Sequence, residues 1–280
     1  MNEIWFRNEA EEWTEALPIG NGFMGAMVFG RTSVERIQVN EDSVWSGGYM
    51  ERVNPDAKEH LHEVRQLLKE GRVQEAELLA SRSMYASYPH MRHYQTLGDV
   101  WIDFSHTRGR QIVKKKENGT SFVEYEPPVF EGYRRSLNLE DAVGSIAYKT
   151  EKGTVKREFF ASAPAQVLVY KMYADAGEAL DFEVSLTRKD NRSGRGSSFC
   201  DGTEALGDDT IRLYGKNGAD NGIAFEMAVR IASKGGRRYR MGSHIIVEGA
   251  KEAVLFITGR TTYRSEDPAA WCMETLKAAG

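Results

Sequence analysis

From residue 95 to residue 263 the chain is a succession of short extended segments separated by turn residues, which narrows the choice of folds more than any other feature. "DVWIDF" alternates Val100, Ile102 and Phe104 against Trp101 and Asp103, the period of a half-buried strand. "QIVKKKENGTSFVEYE" places Asn118-Gly119 between two extended runs, a strong hairpin signal. "VKREFFAS", "AQVLVYKMYA", "LDFEVSLTR", "TIRLYG", "IAFEMAVRIAS", "HIIVEG" and "EAVLFITG" follow at short intervals. In "FEMAVRI", Phe225, Met227, Val229 and Ile231 share one face, and Glu226, Ala228 and Arg230 share the other. So many strands at this spacing predict a mainly β fold, a large antiparallel sandwich. Residues 192–209, rich in Gly, Ser and Asp, read as a long surface loop within it.

One helical block interrupts the pattern near residues 54–84. Asn54 suits an N-cap, Pro55 the first helical position, and Asp56 and Glu59 the positive end of the helix dipole. Leu61, Val64, Leu67 and Leu68 recur at helical spacing, Gly71 breaks the run, and Val73, Ala76, Leu79 and Ala80 resume it. Two helices, or one broken helix, are therefore expected, with one apolar face packed on a neighbour. At the other end, Asp267 caps "PAAWCMETLKAAG", which has helical composition. A β region closing on a helical lead-in suggests that a helical region follows in a longer protein.

The opening stretch "PIGNGFMGAMVFG" contains Gly20-Asn21-Gly22-Phe23-Met24-Gly25, a match to the dinucleotide fingerprint G-x-G-x-x-G. That fingerprint needs a strand before the first glycine and a helix after the last. Pro18 sits where a central strand should run, and the segment after Gly30 alternates Ile37 and Val39 against Arg36 and Gln38. A glycine-rich turn entering a β-hairpin is the better reading, and no nucleotide cofactor is expected.

Composition excludes further classes. Hydrophobic residues make up 41% of 280, enough for a core, and the formal charge of −4 carries no basic stripe of the kind that marks nucleic-acid binding. The run Lys114 to Lys116 fits a solvated strand edge. Two cysteines, Cys200 and Cys272, fit reduced thiols, and the N-terminus lacks a basic and apolar leader. A cytoplasmic location is expected, with no membrane partner, since no run of 18 apolar residues occurs. His90 and His93 lie three apart but beside Pro89, and His60 and His62 diverge on a helix, so no metal site is expected. No nucleophile elbow, Walker loop or paired-cysteine zinc motif is present.

The richest polar cluster is "QVNEDSVWSGGY", where a strand runs into Asn40, Glu41, Asp42 and Ser43, followed by Trp45, Ser46 and two glycines. Carboxylates, an amide, a hydroxyl and an aromatic face suit sugar recognition. The same residues also fit a capped turn with Trp45 buried in the core and Glu41 exposed. Residue chemistry alone leaves both readings open.

"ALPIGNGFMGAMVFGRTSVERIQVNEDSVWSGG" resembles the opening of glycoside hydrolase family 95, the inverting α-L-fucosidases and relatives acting on α-L-galactosides. The resemblance continues, in order, through "NPDAKEHLHEVRQLLKEGRVQEAELLA", "YQTLGDVWIDF", "GYRRSLNLEDAVGSIAY", "REFFASAPAQVLVYKM" and "AVLFITGRTTY". It implies a galactose-mutarotase-like β-supersandwich over residues 1–265, with 266–280 beginning a helical linker to an (α/α)6-barrel. The family's catalytic glutamate, asparagine and aspartate belong to that barrel, and no segment here corresponds to it. No catalytic residue is therefore expected in this chain, and the stretch alone is expected to be inactive. Asn40, Glu41, Asp42, Trp45 and Ser46 become candidates for lining the substrate pocket or docking the barrel. The partners implied are a fucosylated oligosaccharide, met through the parent enzyme, and the barrel itself. A stand-alone carbohydrate-binding module is the alternative. Phe23-Met24 and Thr96 stand where the family commonly has a basic–aliphatic pair and a proline, which leaves the sugar open.

Overall fold

The computed structural model describes residues 2–86, 90–104, 111–125, 130–175, 177–188, 199–218 and 220–280. Two antiparallel sheets face each other. One has nine strands in the order β1 (Glu3–Phe6), β8 (Glu131–Asn138), β9 (Gly144–Lys149), β10 (Thr154–Ser162), β11 (Val167–Ala174), β18 (Glu252–Thr261), β15 (Ala224–Lys234), β14 (Thr210–Lys216) and β13 (Gly202–Leu206). The other has seven: β16 (Arg237–Met241), β17 (His244–Ala250), β12 (Leu180–Thr187), β5 (Gly98–Phe104), β4 (Val34–Glu41), β3 (Met24–Val28) and β2 (Leu17–Gly20). The inward residues of both sheets, among them Val100, Ile102, Phe104, Phe159, Val184, Met227 and Ile257, form one continuous core. Alternation along each strand follows from the pleat, which sends successive side chains to opposite faces. A mainly β antiparallel sandwich is what the strand periodicity predicts.

The glycine-rich opening is a hairpin. β2 pairs with β3 in antiparallel register, Gly20 opposite Gly25, and β3 pairs in turn with β4. Asn21 turns the chain by accepting the Met24 amide at 2.9 Å, while Gly22 takes φ +104°, a conformation that costs glycine little. No helix follows, so the phosphate-cradling context is absent. Pro18 is tolerated because β2 is the edge of its sheet.

The helical block is two helices, α1 (Ala57–Lys69) and α2 (Val73–Ser83). Gly71, at φ +77°, ends α1: its amide bonds the Leu68 carbonyl and the Arg72 amide bonds that of Leu67, a Schellman arrangement. The start differs from expectation. Asn54 is spent in a local turn, its Oδ1 accepting the Asp56 amide, so the helix begins after Asp56. The helices pack largely on each other, burying Val64 and Ala76 and leaving Leu68 and Leu78 half exposed.

One other element departs from the sequence reading. Residues 202–206, expected in a loop, form β13 on the edge of the larger sheet, held by β14; residues 192–198 lie outside the described residues. The C-terminal segment is a 12-residue helix, α3 (Pro268–Ala279), that lies on the outer face of β15 and β18. It buries Cys272 and Leu276 against Ala228, so the face of β15 opposite Phe225 and Met227 is covered too. The lysine run lies in the two-stranded hairpin β6 (Gln111–Lys115) and β7 (Ser121–Tyr125), turned at Asn118 and Gly119.

Candidate functional site

β4 delivers Asn40 to Gly48 to one end of the smaller sheet. Its inward positions are Glu35, Ile37, Val39 and Glu41, so the strand's own alternation carries Glu41 into the interior. Glu41 is fully buried. Its Oε2 accepts from the Ser43 amide at 2.8 Å and the Ser43 hydroxyl at 2.6 Å, and that hydroxyl meets Thr261 Oγ1 at 2.5 Å. Oε1 makes no hydrogen bond and faces Arg264 Nε at 3.6 Å. Burial raises the Glu41 carboxyl above the usual carboxylate range, against the lowering effect of Ser43. Asp42, next in sequence, points outward and pairs with Arg264, Nε to Oδ1 at 3.2 Å. Both carboxylates are thus tied to the end of β18.

The aromatic part of the loop is held differently. Trp45 is half-buried, its indole N–H donating to the Asp42 carbonyl at 3.2 Å and its ring edge-on to Tyr94, with centroids 5.5 Å apart. Tyr94 donates its hydroxyl proton to the Glu41 carbonyl, and burial beside Glu41 and Asp42 pushes its pKa up to about 12. Ser46 exchanges bonds with His93: the Ser46 amide donates to the His93 carbonyl at 2.8 Å, and the His93 amide to Ser46 Oγ at 2.9 Å. Asn217 donates to the Trp45 carbonyl at 3.2 Å. Gly48 bridges to Gly222, and a Cβ at Gly48 would lie 2.0 Å from the Asn221 carbonyl oxygen, so only glycine permits this approach.

The structure therefore brings Glu41, Asp42, Trp45 and Ser46 into one anchored loop, with Asn40 half-buried on the strand behind it. The burial expected of a plain capped turn is reversed: the glutamate is inside and the tryptophan partly outside. Neither carboxylate is presented as an acid or base above an open cleft, since Ser43 and Arg264 engage them. Large side chains in the segments that adjoin the loop are exposed: Tyr49 by 79%, Val53 by 73%, Met91 by 68% and Tyr263 by 72%. Tyr94, Asn217, Thr261 and Arg264 were not legible as partners of the loop, because strand pairing brings them in from distant segments. Among the described residues, no group of three or more His, Cys, Asp or Glu is placed to hold a metal.

The chain matches the model described as "Glycosyl hydrolase family 65, N-terminal domain" over residues 4–266. It is 35% identical over 185 residues to "Alpha-L-fucosidase 2" of Arabidopsis thaliana, which covers 65% of this chain and 19% of that protein. It is 26% identical over 269 residues to "Probable alpha-fucosidase A" of Aspergillus niger, covering 91% of this chain and 29% of the relative. Among solved structures, "Putative kojibiose phosphorylase from human microbiome" superposes with TM-score 0.52 at 13% identity, over 99% of this chain and 35% of that one. That likeness concerns the fold. The chain spans well under a third of the two fucosidase relatives' lengths. The resemblance pointed to family 95, whereas the matching domain model is that of family 65; a glycoside hydrolase N-terminal domain is common to both.

Proposed function

Because this chain belongs to the family of glycosyl hydrolase family 65 N-terminal domains, we propose that it serves as the N-terminal accessory domain of an α-L-fucoside-cleaving hydrolase of the family 95 kind. In this reading the loop from Asn40 to Gly48 faces the catalytic barrel and shapes the rim of its sugar pocket. One observation carries the proposal: the loop is anchored internally through Glu41, Ser43 and Arg264, yet the segments that adjoin it leave Tyr49, Val53, Met91 and Tyr263 exposed. Surface of that composition needs a covering partner. The names of the fucosidase relatives support a fucoside as the substrate, and their greater lengths leave room for a catalytic barrel as that partner.

The test is made in a polypeptide that joins this domain to its barrel. Trp45→Ala and Glu41→Gln are expected to lower fucosidase activity while each isolated domain keeps its circular dichroism spectrum. Full activity in both variants would reduce the loop to a structural turn. Tight binding of a fucosylated oligosaccharide by the isolated chain would instead favour the stand-alone binding module.

A further inference from the structure

Beside Ser46 and Gly47 the structure contains a cavity of about 270 Å³, lined also by Gln95, Arg188, Phe199, Asp201, Lys216 and Asn217. Arg188 is 5% exposed. Its guanidinium is held by neutral acceptors: Nε donates to the Thr96 carbonyl at 2.9 Å, Nη1 to the Phe199 carbonyl at 2.5 Å and to Asn217 Oδ1 at 3.2 Å, and Nη2 to Gln95 Oε1 at 2.8 Å. One face stacks over the Phe225 ring at 4.3 Å. Three of the four acceptor residues line the cavity, so the guanidinium stands at its wall.

Among the described residues no carboxylate forms an ion pair with Arg188. Guanidinium has five N–H donors, and the four bonds above leave one on Nη2 unengaged. Burial drags the Arg188 pKa down to about 10, with neighbouring Cys200 opposing the shift. Buried charges are ordinarily paired, because desolvating a lone ion is costly. Lys216, on the same cavity wall, adds a second positive charge and donates to the Asp220 carbonyl. The Gln95 amide N–H groups, the Ser46 hydroxyl and the Asp201 carboxylate supply donors and acceptors of the kind that bind hydroxyl groups.

We propose that this cavity is a binding site for a monosaccharide-sized polyhydroxy acid, whose carboxylate is received by Arg188 and Lys216 and whose hydroxyls are read by Gln95, Ser46 and Asp201. The size fits: drug-sized ligands occupy sites of roughly 300–1,000 Å³, and this one is slightly smaller. The remaining Nη2 N–H of Arg188 and the Lys216 ammonium can each give one charge-assisted hydrogen bond to a carboxylate. The proposal does not depend on the fucoside reading, so either can fail without the other.

The test titrates the 280-residue chain with D-galacturonate, D-galactose and acetate by calorimetry and thermal shift at pH 7. Galacturonate is expected to bind at least roughly tenfold more tightly than galactose, the difference a charge-assisted bond makes, and more tightly than acetate. Arg188→Lys, which keeps a charge but cannot hold the four protein acceptors and still present an N–H to the cavity, is expected to abolish the preference for the acid over galactose. Lys216→Met, at an exposed position that cannot unfold the domain, is expected to weaken galacturonate severalfold and leave galactose unchanged. The proposal is overturned by absence of galacturonate binding, by equal binding of galactose or acetate, or by a folded Lys216→Met variant with unaltered affinity for the acid.

Discussion

Glu35 and Arg157 meet at 3.3 Å in the interior, neither exposed to solvent, and they join the two sheets. Tyr170 donates its hydroxyl proton to Glu35 Oε2 at 2.8 Å, and Arg157 donates to the Tyr148 hydroxyl and to the carbonyls of Arg31 and Thr32. The arginine also lies over the Phe104 ring at 4.1 Å. Removing one member of such a pair leaves the other charge buried and alone, which typically costs about 3–5 kcal/mol. Glu35→Gln is therefore expected to lower the free energy of unfolding in urea by roughly that amount, and a change below about 1 kcal/mol would show that the pair is not a structural pin. The pair is invisible in sequence. Glu35 sits on the apolar face of β4 beside Ile37 and Val39, a clue in its register, but its partner is 122 positions away. Arg188 escaped for the same reason: a charged residue at a strand end reads as solvated until the tertiary fold buries it.

At the scale of elements, α3 changes the meaning of β15. The alternation of "FEMAVRI" predicts one buried face, yet Glu226 and Ala228 on the other face are buried as well. The helix covers them, and Arg230 ties the contact by donating to the Leu276 carbonyl at 3.3 Å. Burial lifts the Glu226 carboxyl from 4.5 to about 7, while Arg212 at 3.4 Å opposes the shift. A carboxyl with its pKa raised on folding holds its proton more tightly in the native state. Its contribution is complete below pH 4.5 and is lost as pH rises through 7. The domain should thus lose stability between about pH 5 and pH 7.5, and Glu226→Gln should remove roughly 1–3 kcal/mol of that loss. Urea curves at the two pH values decide it; identical losses in both proteins would place the effect elsewhere. The loop makes a second demand at this scale. Gly48→Ala would drive a methyl into the Asn221 carbonyl, so weaker protection of the 45–48 amides from hydrogen exchange is expected, with the sandwich core unchanged. Unaltered protection would mean that the close approach is dispensable.

For the whole molecule, the sandwich, the opening hairpin and the paired helices were legible because each rests on local patterning: a period of 2, a period of 3.6, and glycines at turns. What was not legible depends on which sheets face each other and which elements fold over them: the strand at 202–206, the covering by α3, and the inward turn of Glu41. The candidate loop could be located from Asn40, Glu41, Asp42, Trp45 and Ser46, but not its anchoring by Thr261 and Arg264, which lie more than 200 residues on. The same view bears on activity. Inverting glycoside hydrolysis needs an acid and a water-activating base roughly 6.5–9.5 Å apart across an open cleft, and the two loop carboxylates are engaged by Ser43 and Arg264 instead. The most direct measurement is the turnover of an aryl α-L-fucoside by the purified 280-residue chain, assayed at enzyme concentrations high enough to detect slow release. An accessory domain whose catalytic groups lie on a separate barrel gives no release above the buffer rate; release that follows the chain through successive purification steps and disappears in Glu41→Gln would contradict it.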